Sequence, residues 1–385
     1  MLLSICAITY NRSQYLDELL QSIHDSSSLN ASQIELVILD NGSNNETKRH
    51  LAEWQKRITF KLLINEQNER GFSAYKKLIE AAEGEWIICP GDDDRFTRNG
   101  LSTVINRCSQ ARGDTSLIAF GAITIDINGN RTPIEFEPKK FASKPAFIAR
   151  ALFESPFWMP ATAIRRSAIK TEQMPLSLTV VDWWLWINAG LKGLCMPTSD
   201  KVVEYRLHEG QEQRSYLKES WDLDRALSLI NDIKGGSLRD WVSTSSIEEL
   251  EALLDCLTIE FENKDLSFLD KLLLTVFCQE ISRREKTIKS KVKSTLLHAQ
   301  LDPRFLGPLL DVKVTAEDYI YALSLGSKKS HFEADIAKLE LQLTEVLMDK
   351  RNQEVENSIT PFEKKIVKVF RGIRFNNFIR RIFKK

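Results

Sequence analysis

The sequence contains neither Gly-x-Gly-x-x-Gly nor Gly-x4-Gly-Lys-Ser/Thr. Those glycine-rich turns bring backbone N–H groups onto phosphates, so their lack argues against a P-loop or a dinucleotide site. The six cysteines form no Cys-x-x-Cys pair, and most lie in apolar runs. A zinc site is not expected, and a reducing compartment is. No stretch reaches the ~20 apolar residues of a membrane span. The start, MLLSICAI, is apolar but short, has no basic leader and runs into a strand-and-turn pattern, so it does not read as a signal peptide. Net charge is also lacking, but the zero conceals an asymmetry. Residues 361–385 carry nine Lys/Arg and one Glu, against 44 basic and 52 acidic residues in the remainder. A basic end of this kind is expected to be a module with its own partner.

What is present is an ordinary globular composition, 43% hydrophobic and 28% charged, over 385 residues. That length suggests two or three domains and a core that needs no disulfide. The first ~100 residues alternate strand and helix. Apolar β-rich runs at Leu2–Ile8, Ile34–Leu39, Phe60–Ile64 and Glu85–Cys89 are separated by helical patterns from Ser13 to His24, Asn45 to Arg57 and Gly71 to Ala82. Asp17 and Glu18 lie near the positive end of the first helix. Such alternation implies βαβ units in a mixed, mostly parallel α/β sheet. Strands are also expected at Ser116–Ile127, Phe157–Ile169 and Val202–Leu207, a hairpin turn at 126–130, and an aromatic-rich helix at Val181–Leu191. From about Leu217 to Leu325 the pattern is helical and carries no chemical motif.

Ligands of an open parallel sheet bind beyond the carboxyl ends of its strands. Three polar clusters follow strands: Thr9-Tyr10-Asn11-Arg12, Asp40-Asn41-Gly42-Ser43 and Gly91-Asp92-Asp93-Asp94. Three consecutive carboxylates repel one another, and a hard divalent cation, Mn2+ or Mg2+, is a natural partner when phosphate oxygens complete its shell. In isolation an Asp-Asp-Asp turn would be a solvated acidic loop or a helix cap. Its position after a buried strand in a βαβ series favours the metal–phosphate reading.

Four segments together resemble family 2 glycosyltransferases of the GT-A fold: residues 4–12 (SICAITYNR), 37–43 (VILDNGS), 68–74 (NERGFSA) and 83–94 (EGEWIICPGDDD). The resemblance covers roughly residues 1–215. It implies that Thr9, Tyr10, Asn11 and Arg12 line a nucleoside pocket, with Asp40 and Asn41 at the base, a pyrimidine, and Arg70 and Gly71 near ribose and phosphates. It implies that Asp92 touches ribose and that Asp92, Asp93 and Asp94 include the metal ligands. Pro90 stands where the family often has an acidic residue. The family's catalytic carboxylate maps to Asp182, preceded by Val181 in place of the usual Glu. The closing Tyr205-Arg206-Leu207-His208 implies Arg206 at the diphosphate and His208 on metal or phosphate. Trp158, Trp183, Trp184 and Trp186 fall where the family binds its acceptor. Each of these also has a plainer reading: Asp182 as a helix cap, His208 as a structural histidine, the tryptophans as core.

Beyond residue 215 the expectations are a helical accessory region (216–330), a coiled coil or long amphipathic helix (331–357) and a basic amphipathic tail (358–385). Phe332, Ile336, Leu339, Leu343 and Val346 step by 4, 3, 4, 3, the seam of a short coiled coil that would pair two copies of the chain. In the tail, Ile366, Val369, Phe370 and Ile373 share one face, Phe375, Phe378, Ile379, Ile382 and Phe383 another, with basic residues opposite. That pattern fits an anionic membrane surface better than nucleic acid. The expected protein is an inverting, metal-dependent glycosyltransferase, peripheral on the inner membrane face in the cytoplasm, that uses a nucleoside-diphosphate sugar and a glycan or lipid-linked glycan in cell-surface polysaccharide assembly. Two alternatives belong to other classes. A sugar nucleotidyltransferase would need a Gly-rich basic loop after the first strand, which Thr9–Arg12 does not supply, and a non-catalytic scaffold would not need the aspartates.

Overall fold

The computed structural model describes residues 1–27, 32–69, 71–176, 180–208, 218–261 and 266–299. Arg70, the coiled-coil seam and the basic tail lie outside them. The first part runs β1 (Leu3–Thr9), α1 (Ser13–Ser27), β2 (Ile34–Asp40), α2 (Asn45–Trp54), β3 (Lys61–Ile64), α3 (Phe72–Ala81), β4 (Trp86–Ile88), β5 (Arg95–Phe96) and α4 (Gly100–Gln110). There follow β6 (Thr115–Ile125), β7 (Arg131–Phe136), α5 (Lys144–Ala151), β8 (Thr162–Arg165), α6 (Val181–Lys192) and β9 (Leu194–Arg206). The remaining helices are α7 (Lys218–Gly235), α8 (Ser237–Thr244), α9 (Ile247–Phe261), α10 (Phe268–Arg284) and α11 (Lys289–His298).

One mixed sheet takes the order β3-β2-β1-β4-β8-β6-β9-β5, with β7 on β6. The β3, β2, β1 and β4 pairings are all parallel. Beyond β4 the pairings are antiparallel except for the long parallel pair β6–β9. Side chains alternate across a strand, so both faces of the buried strands need a cover. Leu3, Ile5 and Ala7 of β1, Leu36 and Ile38 of β2, and Trp86 and Ile88 of β4 pack with α1, α2 and α4. Cys6, Val37, Leu39, Ile87 and Cys89 face the other way, onto α3, α5 and α6. The result is helix, sheet and helix in three layers.

The helices from 218 to 299 extend the second layer, and Leu229, Leu253, Leu273 and Leu296 belong to the same buried cluster as the sheet's Ile87. Polar ties fix this contact. Arg225, 3% exposed, donates to the Leu152 carbonyl at 2.6 Å and to Asp270 at 2.6 Å. Asn188 of α6 donates to Asp232 of α7 at 3.5 Å. Gly190 lets α6 lie on α5: a Cβ there would sit 2.1 Å from the Phe147 ring. The helix that carries Asp182 is thus braced from the sheet side and from the C-terminal side.

The structure departs from the sequence expectations in several elements. The expected strand Phe157–Ile169 shrinks to β8 flanked by short 3-10 turns, and β9 begins eight residues before Val202. Helices α4 and α5 and the two-residue β5 were not expected. They are short, and the apolar periodicity that reveals longer helices has little length in which to repeat. Among the described residues no helix is long and apolar enough to cross a membrane.

Candidate active site

Parallel register places Thr9 beside Asp40 at the carboxyl ends of β1 and β2. Both are buried, and among the described residues Asp40 Oδ2 has no hydrogen-bond partner. The other Asp40 oxygen accepts the Ser43 N–H at 2.8 Å, which aims the carboxylate. An unsatisfied buried acceptor costs roughly 1–3 kcal/mol, so the Asp40 oxygen asks for a donor. The Thr9 hydroxyl lies toward Asp92, whose ionised form it favours. Tyr10, 42% exposed, stands at the mouth. Asn11 adopts φ 56°, a left-handed conformation Asn tolerates, and its side chain accepts the Asn44 N–H at 2.8 Å, joining this turn to the start of α2.

Asn41 has a different task from the nucleotide contact implied by the resemblance. Its Nδ2 donates to Asn68 Oδ1 and the Glu69 carbonyl, and its Oδ1 accepts from Asn65 and the Glu69 N–H. All four hydrogen bonds of the amide are internal, so Asn41 shapes the loop leading to Gly71 rather than meeting a ligand. Gly42 (φ 82°) makes this approach feasible, since a Cβ would stand 2.6 Å from the Gln67 backbone.

The three aspartates after β4 solve their repulsion in separate ways. Asp94 turns inward: its Oδ1 accepts the Arg206 N–H at 3.1 Å and its Oδ2 the Gly91 N–H at 3.0 Å. Both Asp94 oxygens thus hold backbone, one of the loop itself and one of β9. Asp92 and Asp93 each present an oxygen to a single nitrogen, Arg12 NH1, at 3.0 Å. The same Asp93 oxygen meets His208 Nε2 at 2.9 Å. A cationic group therefore already bridges the two carboxylates. Burial, then the charge of Asp93, pushes Asp92 up to about 6 against the opposing pull of Arg12. Burial and the Asp93 charge also raise Asp94, against the two backbone donors. Among the described residues no group of three or more His, Cys, Asp or Glu side chains gathers to hold a metal.

Arg206 is not exposed at all, and its guanidinium is consumed within the protein. Nε donates to the Asp93 carbonyl at 2.8 Å, NH1 to the Asp126 and Ile127 carbonyls, and NH2 to Glu18 at 2.6 Å. The expected contact with a diphosphate is replaced by a clamp on the acidic loop. Tyr15 lies under this guanidinium at 4.8 Å and beside the His208 ring at 5.1 Å. Tyr15 and Glu18 are site residues that sequence reasoning passed over. Their spacing of three from each other was the available signal, since it puts both on one side of α1.

Asp182 stands half-buried in the first turn of α6, and its carboxylate accepts the Trp183 N–H at 2.9 Å. Burial pushes it up to about 6, against the backbone N–H groups of Trp183 and of Asp182 itself. Two residues on, Trp184 packs edge-on against Phe72, the first residue after Gly71, with ring centres 5.8 Å apart. The starts of α6 and α3 thus meet on one side of the sheet. Trp184 and Trp186 are 1% exposed and belong to the core, so neither ring is free to stack on a sugar. The Trp183 indole N–H is bound to the Ala151 carbonyl at 2.7 Å and its ring faces Arg225. Trp158 is only partly buried, stacked at 4.6 Å on Phe136 and 4.7 Å from Tyr205. It precedes β8, whose first residues lie against the carboxyl end of β4, so it borders the acidic loop's side of the sheet.

Residues 4–171 match the family model described as Glycosyl transferase family 2. Abequosyltransferase RfbV of Salmonella typhimurium is 34% identical over 107 residues, 26% of this chain and 31% of that protein. The GalNAc(5)-diNAcBac-PP-undecaprenol beta-1,3-glucosyltransferase of Campylobacter jejuni is 25% identical over 195 residues, 48% of this chain and 59% of that protein. The chain therefore spans less than two thirds of either relative. Among solved structures, S. aureus TarS 1-349 in complex with UDP-GlcNAc superposes with a TM-score of 0.55 and 16% identity over 83% of this chain and 89% of that one. That likeness is one of fold, the GT-A arrangement.

Gly91 tests the acidic loop. A Cβ there would fall 2.5 Å from Asp93 Oδ1 and 2.9 Å from Asp94 Oδ2, so the carboxylates rather than the backbone would have to move. Gly91→Ala is expected to leave the unfolding free energy from urea titration within about 1 kcal/mol of wild type, while the Gly91-loop amides at 91 and 94, which bond to one another's residues, exchange at least tenfold faster.

Proposed function

Because residues 4–171 form a family 2 glycosyl transferase domain, we propose that the protein moves a sugar from a nucleoside-diphosphate sugar to a glycan or lipid-linked glycan acceptor. The observation that carries this reading is the meeting, at one edge of the sheet, of an unpartnered buried Asp40 oxygen with the paired Asp92 and Asp93. Asp40 accepts an N–H from the base, and the imide of uracil or thymine offers one. Tyr10 covers the base, and Asp92 and Asp93 face ribose and diphosphate. The donor set suits Mn2+ or Mg2+, which bind through one or two carboxylates plus substrate phosphates. Asp92 and Asp93 would hold the ion with His208 beside them, and the Arg12 guanidinium would yield its place. Bound there, the ion supplies positive charge against the diphosphate.

Asp182 takes the proton of the acceptor hydroxyl as that oxygen attacks the anomeric carbon. The bond from that carbon to the diphosphate oxygen breaks, the nucleoside diphosphate leaves, and a single displacement inverts the configuration. A carboxylate raised to about 6 is a better base than an ordinary one and is still ionised at neutral pH. Trp158 fits the acceptor side. The Campylobacter relative, named for an undecaprenol-linked glycan, supports a lipid-linked acceptor, and the basic tail at 361–385 would hold the enzyme at the membrane face where such acceptors reside. The segment 332–347 would pair two copies. A nucleotidyltransferase would release pyrophosphate instead of a nucleoside diphosphate, so product analysis separates the two.

Asp182→Asn is expected to lower transfer at least 100-fold with donor KM within threefold of wild type. Activity of the wild type should fall as pH drops through about 6. The stability sign is opposite. A carboxyl raised from 3.8 to about 6 holds its proton better folded than unfolded, so wild type loses stability as pH rises across that window. Asp182→Asn should therefore melt higher than wild type at pH 7, and the gap should close by about pH 4; a variant that melts lower at pH 7 would count against this account.

EDTA should weaken UDP binding at least tenfold, with Mn2+ restoring it; unchanged affinity would remove the ion from the reading. Deleting 361–385 should release the protein from liposomes rich in phosphatidylglycerol while UDP binding persists, whereas retained liposome binding would overturn the tail's role.

A further inference from the structure

Arg206 reaches three segments from a position closed to solvent. Its backbone N–H and Nε hold Asp94 and the Asp93 carbonyl, NH1 holds the hairpin carbonyls of Asp126 and Ile127, and NH2 holds Glu18. The position of the acidic loop therefore depends on where this guanidinium sits. What locates it on the far side is α1. Glu18 Oε2 stands 2.6 Å from Arg206 NH2 and 3.1 Å from Arg95 NH1. Arg95 in turn holds Glu204 at 2.5 Å and the Gly129 carbonyl at 2.9 Å. Ser22, one helical turn beyond Glu18, accepts the Phe96 N–H at 3.1 Å, so the same face of α1 also grips the strand that leaves the loop.

We infer that Glu18 is a positioning residue: through Arg206 it sets the acidic loop so that Asp92 and Asp93 face a nucleoside diphosphate. This rests on the donor reading above, though the holding of the loop does not. Glu18 touches neither Asp92 nor Asp93, and its side chain is 33% exposed, so it is no part of the pocket itself. Its carboxylate accepts from Arg206 NH2, while Nε and NH1 of the same guanidinium go to main-chain carbonyls. Arg206 is wholly buried, and a buried cation deprived of its counter-charge shifts toward another anion or toward water. Asp94 is tied to the Arg206 backbone and the Asp93 carbonyl to its Nε, so a guanidinium that shifts takes the loop with it.

Three full-length proteins test this: wild type, Glu18→Gln and Arg131→Ala. Arg131 binds Glu204 at the outer end of the same network and does not contact Arg206, so it reports general loosening. Amide hydrogen exchange reads the loop directly, because the Gly91, Asp94 and Arg206 N–H groups all bond within it. In Glu18→Gln these amides should exchange at least tenfold faster, with the core strands unchanged, and UDP in the presence of Mn2+ should bind about tenfold more weakly while uridine binds as before. Glu18→Asp should fall between the two, and Arg131→Ala should match wild type in both readings. Unchanged loop exchange in Glu18→Gln overturns the inference, as does faster exchange with unchanged UDP affinity, or an equal effect in Arg131→Ala. Should Glu18→Gln not fold, Glu18→Asp carries the same comparison. If wild type binds no nucleoside diphosphate, the donor reading fails, and the exchange data still decide whether Glu18 holds the loop.

Discussion

Three adjacent carboxylates at the end of a buried strand repel one another, and burial makes each charge dearer still. The arrangement around residues 91–94 follows from relieving that repulsion. Asp94 is neutralised by backbone donors, Asp93 by His208 and Arg12, and Asp92 by Arg12 alone. Only the last two keep an oxygen turned toward a side-chain cation that a ligand can replace. Asp94 braces the loop while Asp92 and Asp93 share Arg12, a difference no inspection of three identical letters would give.

The cations are not equivalent either. Surface pairs such as Lys77–Glu69 are worth about 0–1 kcal/mol. Breaking a fully buried pair by removing one partner costs about 3–5 kcal/mol; the Arg206–Glu18 pair lies between the two cases, with the guanidinium buried and Glu18 33% exposed. Arg12 is partly exposed and joins Asp92 to Asp93. A buried cation behind the loop and a partly exposed one in front of it suit a loop that is to receive a multiply charged ligand and keep its own shape.

Much of this was legible in the sequence, for identifiable reasons. The strands β1, β2 and β4 are continuous apolar runs because both their faces are covered, and the polar residues that end them mark the ligand edge. Asp40 and the aspartates at 92–94 stood out by position in that pattern, and Asp182 by the family resemblance alone. What stayed hidden was direction. Arg206 and His208 sit two residues apart at the end of β9, yet one is sealed in and the other reaches Asp93, and the string Tyr-Arg-Leu-His does not say which. The tryptophans show the same limit. Trp183, Trp184 and Trp186 are neighbours on one helix, and only packing against Phe72, Phe157 and Arg225 reveals what each ring faces. Glu18 looked like an ordinary dipole-compensating residue because its partner lies 188 positions away.

The joint between α6 and the C-terminal helices carries a consequence for how such proteins can be recombined. Asn188 reaches Asp232, Trp183 faces Arg225, and Arg225 joins the end of α5 to Asp270 on α10. The helix that carries Asp182 is therefore seated partly by residues that follow the sheet. Grafting residues 1–215 onto a different helical region would have to reproduce that seat, or the carboxylate at 182 would be presented at a new angle to the sheet. The few side chains that meet across this seam set that angle.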